Sequence, residues 1–124
     1  MRRVHELISK YRFLDGLTWG IECGDGWYNI LDGLFDRIQR WYEVNAPEDL
    51  ADFLIVQVKE KYGSLRVYVS GTFPEVFDMI DAAESASQCI CENCGNAGTM
   101  RNDHGWYLVS CDKCFTNREN YENL

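Results

Sequence analysis

Histidine is almost missing from this chain: 124 residues carry two, His5 and His104. This weighs against an enzyme: no Ser/His/Asp arrangement stands out around either histidine, and no acidic cluster shows an obvious second-metal spacing. Basic residues are also in short supply, twelve against twenty acidic, for a formal charge of −8. Non-specific nucleic-acid binding draws its affinity from Lys and Arg that neutralise phosphates, so this balance weighs against it. No apolar run approaches a membrane span, and Met1-Arg2-Arg3-Val4 leads into a mixed helix rather than a signal-peptide core. Pro/Gly/Ser-rich linkers, internal repeats and low-complexity stretches are absent too. The length fits one domain, and 46% hydrophobic and 14% aromatic residues can supply a core.

What is present is a dense cysteine pattern near the C-terminus. Five of the six cysteines lie between 89 and 114, and four form Cys91-x-x-Cys94 and Cys111-x-x-Cys114 with sixteen residues between the pairs. Two thiolates three residues apart can turn inward from one tight loop, and a tetrahedral ion needs two such loops. Gly95 follows the first pair, where a knuckle needs the left-handed backbone that glycine tolerates. The spacing predicts one structural Zn²⁺ per chain in a four-cysteine zinc ribbon, with Asn96–Gly105 as loop and Trp106–Val109 as a strand delivering a second knuckle. Cysteines clustered at metal spacing, rather than scattered, fit a reducing cytoplasm. Cys23 is expected to be a free thiol. Cys89 and His104 are the residues that could replace a ligand.

Upstream, residues 2–14 place Val4, Leu7, Ile8, Tyr11 and Leu14 on one helical face, with Arg2, Arg3, Lys10 and Arg12 forming a basic, solvated face. Residues 15–26 hold four glycines and read as loop with a short extended piece around Trp19–Cys23. A phosphate cradle there lacks a nucleotide-loop spacing and would face Glu22 and Asp25. Trp27 to Val44 carries a continuous apolar stripe, with Asp25 as its expected cap and Asn45-Ala46-Pro47 as its end. Phe53–Lys61 and Leu65–Ser70 alternate as a β-hairpin turning at Tyr62-Gly63-Ser64. Its outer face is expected to carry Gln57, Lys59, Lys61, Arg66 and Tyr68. A third helix starts at Phe73-Pro74, capped by Thr72, with Val76, Phe77, Ile80, Ala83 and Ser87 inward. Glu75, Asp78, Asp81 and Glu84 recur along it as an acidic stripe. The tail from 112 reads as a short helix. The predicted architecture is therefore α+β: residues 1–88 as helices packed on a β-hairpin, and 89–124 as a zinc ribbon docked on them.

The residues Gly26-Trp27-Tyr28, Val58-Lys59-Glu60-Lys61-Tyr62-Gly63-x-Leu65-Arg66-Val67-Tyr68, Cys91-x-x-Cys94-Gly95, Gly105-Trp106 and Cys111-x-x-Cys114 resemble small uncharacterised zinc-ribbon proteins of phages, prophages and proteobacterial genomes. In that group the last ligand is often His, where this chain has Cys114. The resemblance carries no activity; it implies a mobile-element origin, where small acidic proteins bind and disable a host or defence protein. The expected function is a non-enzymatic binding protein, an inhibitor or adaptor, whose partner offers a basic surface to Glu75, Asp78, Asp81 and Glu84. The alternative is a nucleotide-signal binder using Lys59, Lys61, Tyr62, Arg66 and Tyr68 for phosphate and base. A homo-oligomer is compatible with either.

Overall fold

The computed structural model describes residues 3–102 and 105–116. The fold is mixed α+β, with helices packed against strands. The N-terminal arm is a 3-10 turn (Arg3–His5), helix α1 (Glu6–Lys10) and a second 3-10 turn (Arg12–Leu14). The expected continuous helix is broken at Tyr11, which is extended at φ −126°, ψ 119°. The break has a packing reason. On an unbroken helix Phe13 would point about 200° away from Tyr11, into water. The extended residue instead brings Phe13 against Tyr11, Phe35 and Phe53, with ring centroids 5.3–5.9 Å apart.

The described basic residues of this arm are exposed, as a solvated face requires, and each also has a partner. Arg3 stacks over Tyr28, Arg12 donates to the Leu50 carbonyl, and Lys10 pairs with Asp32. Tyr11 Oη donates to the same Asp32 oxygen at 2.7 Å, and these two donors hold that carboxyl below its usual range. Arg2 lies outside the described residues.

Helix α2 (Tyr28–Asn45) follows a 3-10 turn at Asp25–Trp27 and buries Leu31, Leu34, Phe35, Ile38 and Tyr42 as the stripe predicts. The intervening turn moves Asp25 too far upstream to cap α2, and it accepts the Val4 amide at 2.9 Å instead. Ala46-Pro47 ends α2 and opens the single-turn α3 (Pro47–Leu50).

Strands β1 (Ile21–Glu22), β2 (Ile55–Lys61) and β3 (Ser64–Val69) form a sheet in the order β1-β2-β3. β1, the extended piece of the glycine-rich segment, pairs parallel to β2, so the hairpin is one part of a three-stranded sheet. Tyr62 (φ 52°) and Gly63 (φ 86°) make the two-residue turn, whose left-handed pair matches the twist of the hairpin. Alternation over Phe53–Lys61 puts Leu54, Val56 and Val58 on one face, and this expectation fails in part. The ladder shifts register between Ile55 and Gln57, so Ile55 and Val58 are both buried while Leu54 and Val56 are exposed. One extra residue reverses strand parity at Val56.

Helix α4 (Pro74–Ser87) runs along the open edge of β3. Ser87 Oγ accepts the Leu65 amide and Glu84 Oε2 the Val67 amide, each at 2.9 Å, so helix side chains satisfy the strand's outward donors. Glu84 therefore leaves the acidic stripe. Two expectations for this helix are corrected. Thr72 does not cap it but bonds to the Tyr42 hydroxyl, and Phe77 lies at the rim of the Val76–Ile80–Ala83 stripe, exposed rather than inward.

Candidate metal centre

The site begins where α4 stops. Ile90 bridges to Ala97, and the chain between them folds into a tight knuckle: Gly95, at φ +86°, donates its amide to the Cys91 carbonyl at 2.9 Å. A short hairpin follows, β4 (Thr99–Arg101) paired with β5 (Leu108–Ser110). β4 occupies part of the stretch expected to be loop, and Trp106 and Tyr107 precede β5 as exposed residues. The second cysteine pair then comes not from another knuckle but from a helical turn at 112–116, in which the Phe115 amide donates to the Cys111 carbonyl. Knuckle, hairpin and helical turn thus replace the expected two-knuckle ribbon. Residues 117–124, expected as a short frayed helix, and His104 lie outside the described residues.

These elements bring the sulfurs of Cys91, Cys94, Cys111 and Cys114 within 4.8 Å of one another, with Cys94 and Cys111 at 3.6 Å. Tetrahedral Zn–S bonds of about 2.3 Å imply sulfurs about 3.8 Å apart, so the donor set and its geometry fit a single structural Zn²⁺ per chain. Four protein ligands close the coordination sphere and leave no position for water or substrate.

The electrostatics fit the same ion. Burial raises the Cys91 thiol, but the backbone amides of Cys111, Cys94 and Asn93 outweigh it and bring it down to about 6. At Cys114 the Asn93 side-chain amide, 3.2 Å from the sulfur, pulls downward. Burial and the sulfurs of Cys111, Cys94 and Cys91 prevail and push this thiol up to about 12. Cys94 is raised as well: the Asn96 backbone amide and Cys114 lower it, but burial and the sulfurs of Cys111 and Cys91 win. Thiolates this close repel, and a dication among them reverses the sign of that interaction.

The knuckle is seated on the glycine-rich segment. Gly26 N–H donates to the Glu92 carbonyl at 2.7 Å, Gly24 N–H to the Glu92 carboxylate at 2.8 Å, and the wholly buried Trp27 indole to the Ile90 carbonyl at 2.9 Å. A Cβ on Gly26 would lie 2.1 Å from the Cys91 carbonyl oxygen, and one on Gly24 would lie 2.5 Å from that of Glu92. Composition marks Gly24-Asp25-Gly26 as loop, and its partner lies sixty-odd residues away. A tryptophan directly after two closely spaced glycines was the available signal. On the other side of the ribbon, Met100 and Tyr107 cover Gly63 of the β2–β3 turn.

Cys89 is exposed and Cys23 buried, and neither joins the sulfur cluster among the described residues. Cys89→Ser is therefore expected to keep one zinc per chain by metal analysis; a halved content would make Cys89 a ligand. Of the hairpin residues, Lys59 stands opposite Arg66 and Gln57 opposite Tyr68 on the outer face, while Lys61 and Tyr62 lie at the turn. The ring nitrogen of His5 is bonded to the Ile21 carbonyl. No helix is long and apolar enough to cross a membrane among the described residues. Neither a protein-family model, nor a curated protein, nor a solved structure matches the chain.

Proposed function

We propose that this small α+β protein, stabilised by its zinc, is a non-enzymatic binding protein that engages a protein partner through a basic surface of that partner. The observation that carries this reading is the fate of the charges. Lys10, Arg40 and Arg101 are paired within the chain with Asp32, Asp36 and Asp112, while Arg3 and Arg12 are held by a ring and a carbonyl. Glu75, Asp78 and Asp81 stand exposed on α4 without an ion pair among the described residues, beside the exposed ring of Phe77. An unneutralised acidic face steers a basic partner, and an exposed aromatic gives the contact an anchor. The resemblance to phage and prophage proteins supports an inhibitor or adaptor acting on a host or defence protein in the bacterial cytoplasm.

The test reverses the sign of the field. Glu75→Lys/Asp78→Lys/Asp81→Lys should melt like the wild type, because solvated charges on a helix face contribute little individually. It should lose the partner recovered from a bacterial lysate, with the on-rate falling first. Glu84 is left in place because it caps β3. A triple variant that still binds the wild-type partner at the wild-type rate would remove the acidic face from the interaction. A second reading, a phosphorylated small molecule on the outer sheet face, is favoured by the directly opposed Lys59 and Arg66. Lys59→Glu/Arg66→Glu separates the two, since it should abolish activity only in that second case.

A further inference from the structure

We infer that a pocket at the β1 edge of the sheet receives a cationic side chain, arginine or lysine, from the protein partner; the inference rests on the binding role proposed above and adds a second contact to it, at the sheet edge opposite α4. The pocket arises from two irregularities. β1 and β2 are paired only at Ile21↔Val58 and Glu22↔Lys59. Just before that ladder Gly20 turns the chain at φ +68°, and the register of β2 shifts between Ile55 and Gln57. The two segments splay apart there and leave a cavity of about 240 Å³, lined by Trp19, Gly20, Glu22, Val56 and Gln57 among others.

Its chemistry selects the guest. Glu22 is the only charged residue in the lining, and it enters no ion pair among the described residues although Lys59 is its register partner. Gln57 Nε2 donates to Glu22 Oε1 at 3.2 Å, which orients the carboxylate and leaves Oε2 for a guest. Trp19 is 77% exposed, so most of its indole surface is open. A carboxylate beside an open indole satisfies a cation twice, by a charge-assisted hydrogen bond and by the ring face. A phosphate would meet Glu22 as a like charge, and an apolar group would desolvate it without a partner. The volume also falls below the roughly 300–1,000 Å³ of small-molecule sites, which suits one side chain better than a nucleotide.

The experiment uses a probe rather than the partner: Nα-acetyl-arginine N-methylamide, titrated into the zinc-loaded protein and followed by ¹H–¹⁵N correlation spectra. Saturable shifts are expected at the Trp19 indole, Glu22 and Gln57, with a dissociation constant in the millimolar range. Glu22→Gln should weaken binding at least tenfold, and Trp19→Ala at least threefold, with unchanged melting because both side chains are exposed. The citrulline analogue, neutral and nearly isosteric, should fail to saturate. Equal binding of citrulline, undiminished binding by Glu22→Gln, or shifts that bypass Trp19 would each overturn the assignment. Failure here would remove the pocket while leaving the acidic face of α4 to be judged by its own charge-reversal variant.

Discussion

Cys91→Ser should release the zinc and unfold the chain from about residue 89 onward, and the damage should spread to Trp27. The C-terminal segment has little else to hold it. Its described part buries only Cys91, Val109, Ser110 and Phe115, and its two strands are three residues each. Structural zinc contributes about 10–16 kcal/mol of apparent binding free energy in isolated zinc-finger peptides, far more than so small a cluster supplies by packing. Cys91 is the most buried of the four sulfurs and the one served by three backbone amides, so a serine hydroxyl there cannot stand in for a thiolate. Once the knuckle opens, the amides of Gly24 and Gly26 and the Trp27 indole lose their acceptors. Each such bond is worth about 1 kcal/mol net, and exposure of the indole adds to that. Three readouts should move together: zinc per chain by elemental mass spectrometry, a red-shifted tryptophan emission, and a lower denaturant midpoint. Full zinc occupancy in Cys91→Ser would show that a different residue completes the site.

The metal centre was legible because its signal is local. Two residues per turn at fixed spacing state a geometry whatever the rest of the chain does, and the four sulfurs converge accordingly. Helix α2 was legible for a similar reason, since a stripe from Leu31 to Tyr42 describes one element burying one face. What could not be read depends on distant partners. Nothing near Tyr11 says that Phe13 must reach Phe53, and so the break in the N-terminal helix is invisible to periodicity. The register shift at Val56 overturns the expected alternation at Leu54, Ile55 and Val56, while Val58 stays inward, yet it leaves no residue type behind as a marker. Glu84 looks like its neighbours Glu75, Asp78 and Asp81 on a helical wheel, and only the amide of Val67 distinguishes it. The second cysteine pair carries no glycine, and this was the one local hint that its turn is helical rather than a knuckle.

Gly26→Ala should destabilise the protein by as much as a large core truncation, although it adds a single methyl group. The added carbon would sit 2.1 Å from the Cys91 carbonyl oxygen and 2.5 Å from backbone atoms of Glu92. These are backbone atoms of the knuckle, so no side chain can rotate away; the knuckle itself must move. Moving it stretches the 2.7 Å bond from Gly26 to the Glu92 carbonyl and shifts Gly95, where an added Cβ would lie 3.1 Å from the Gly26 carbonyl oxygen. Overpacking of this kind costs about 1–3 kcal/mol in a core that can relax. With the adjoining hydrogen bonds lost, about 3–5 kcal/mol is expected, or a fall in Tm of roughly 10 °C or more. Zinc should stay bound, since all four sulfurs belong to the displaced segment, and this separates undocking from metal loss. Gly33→Ala is the matched control. Gly33 lies within α2 with nothing within 4 Å of an added Cβ, so alanine there should stabilise the helix by about 0.5–1 kcal/mol. Thermal melts of the two variants should therefore move in opposite directions. If Gly26→Ala melts within about 2 °C of the wild type, the knuckle is not seated on the Gly24–Trp27 segment, and the route by which zinc stabilises the rest of the fold must lie elsewhere.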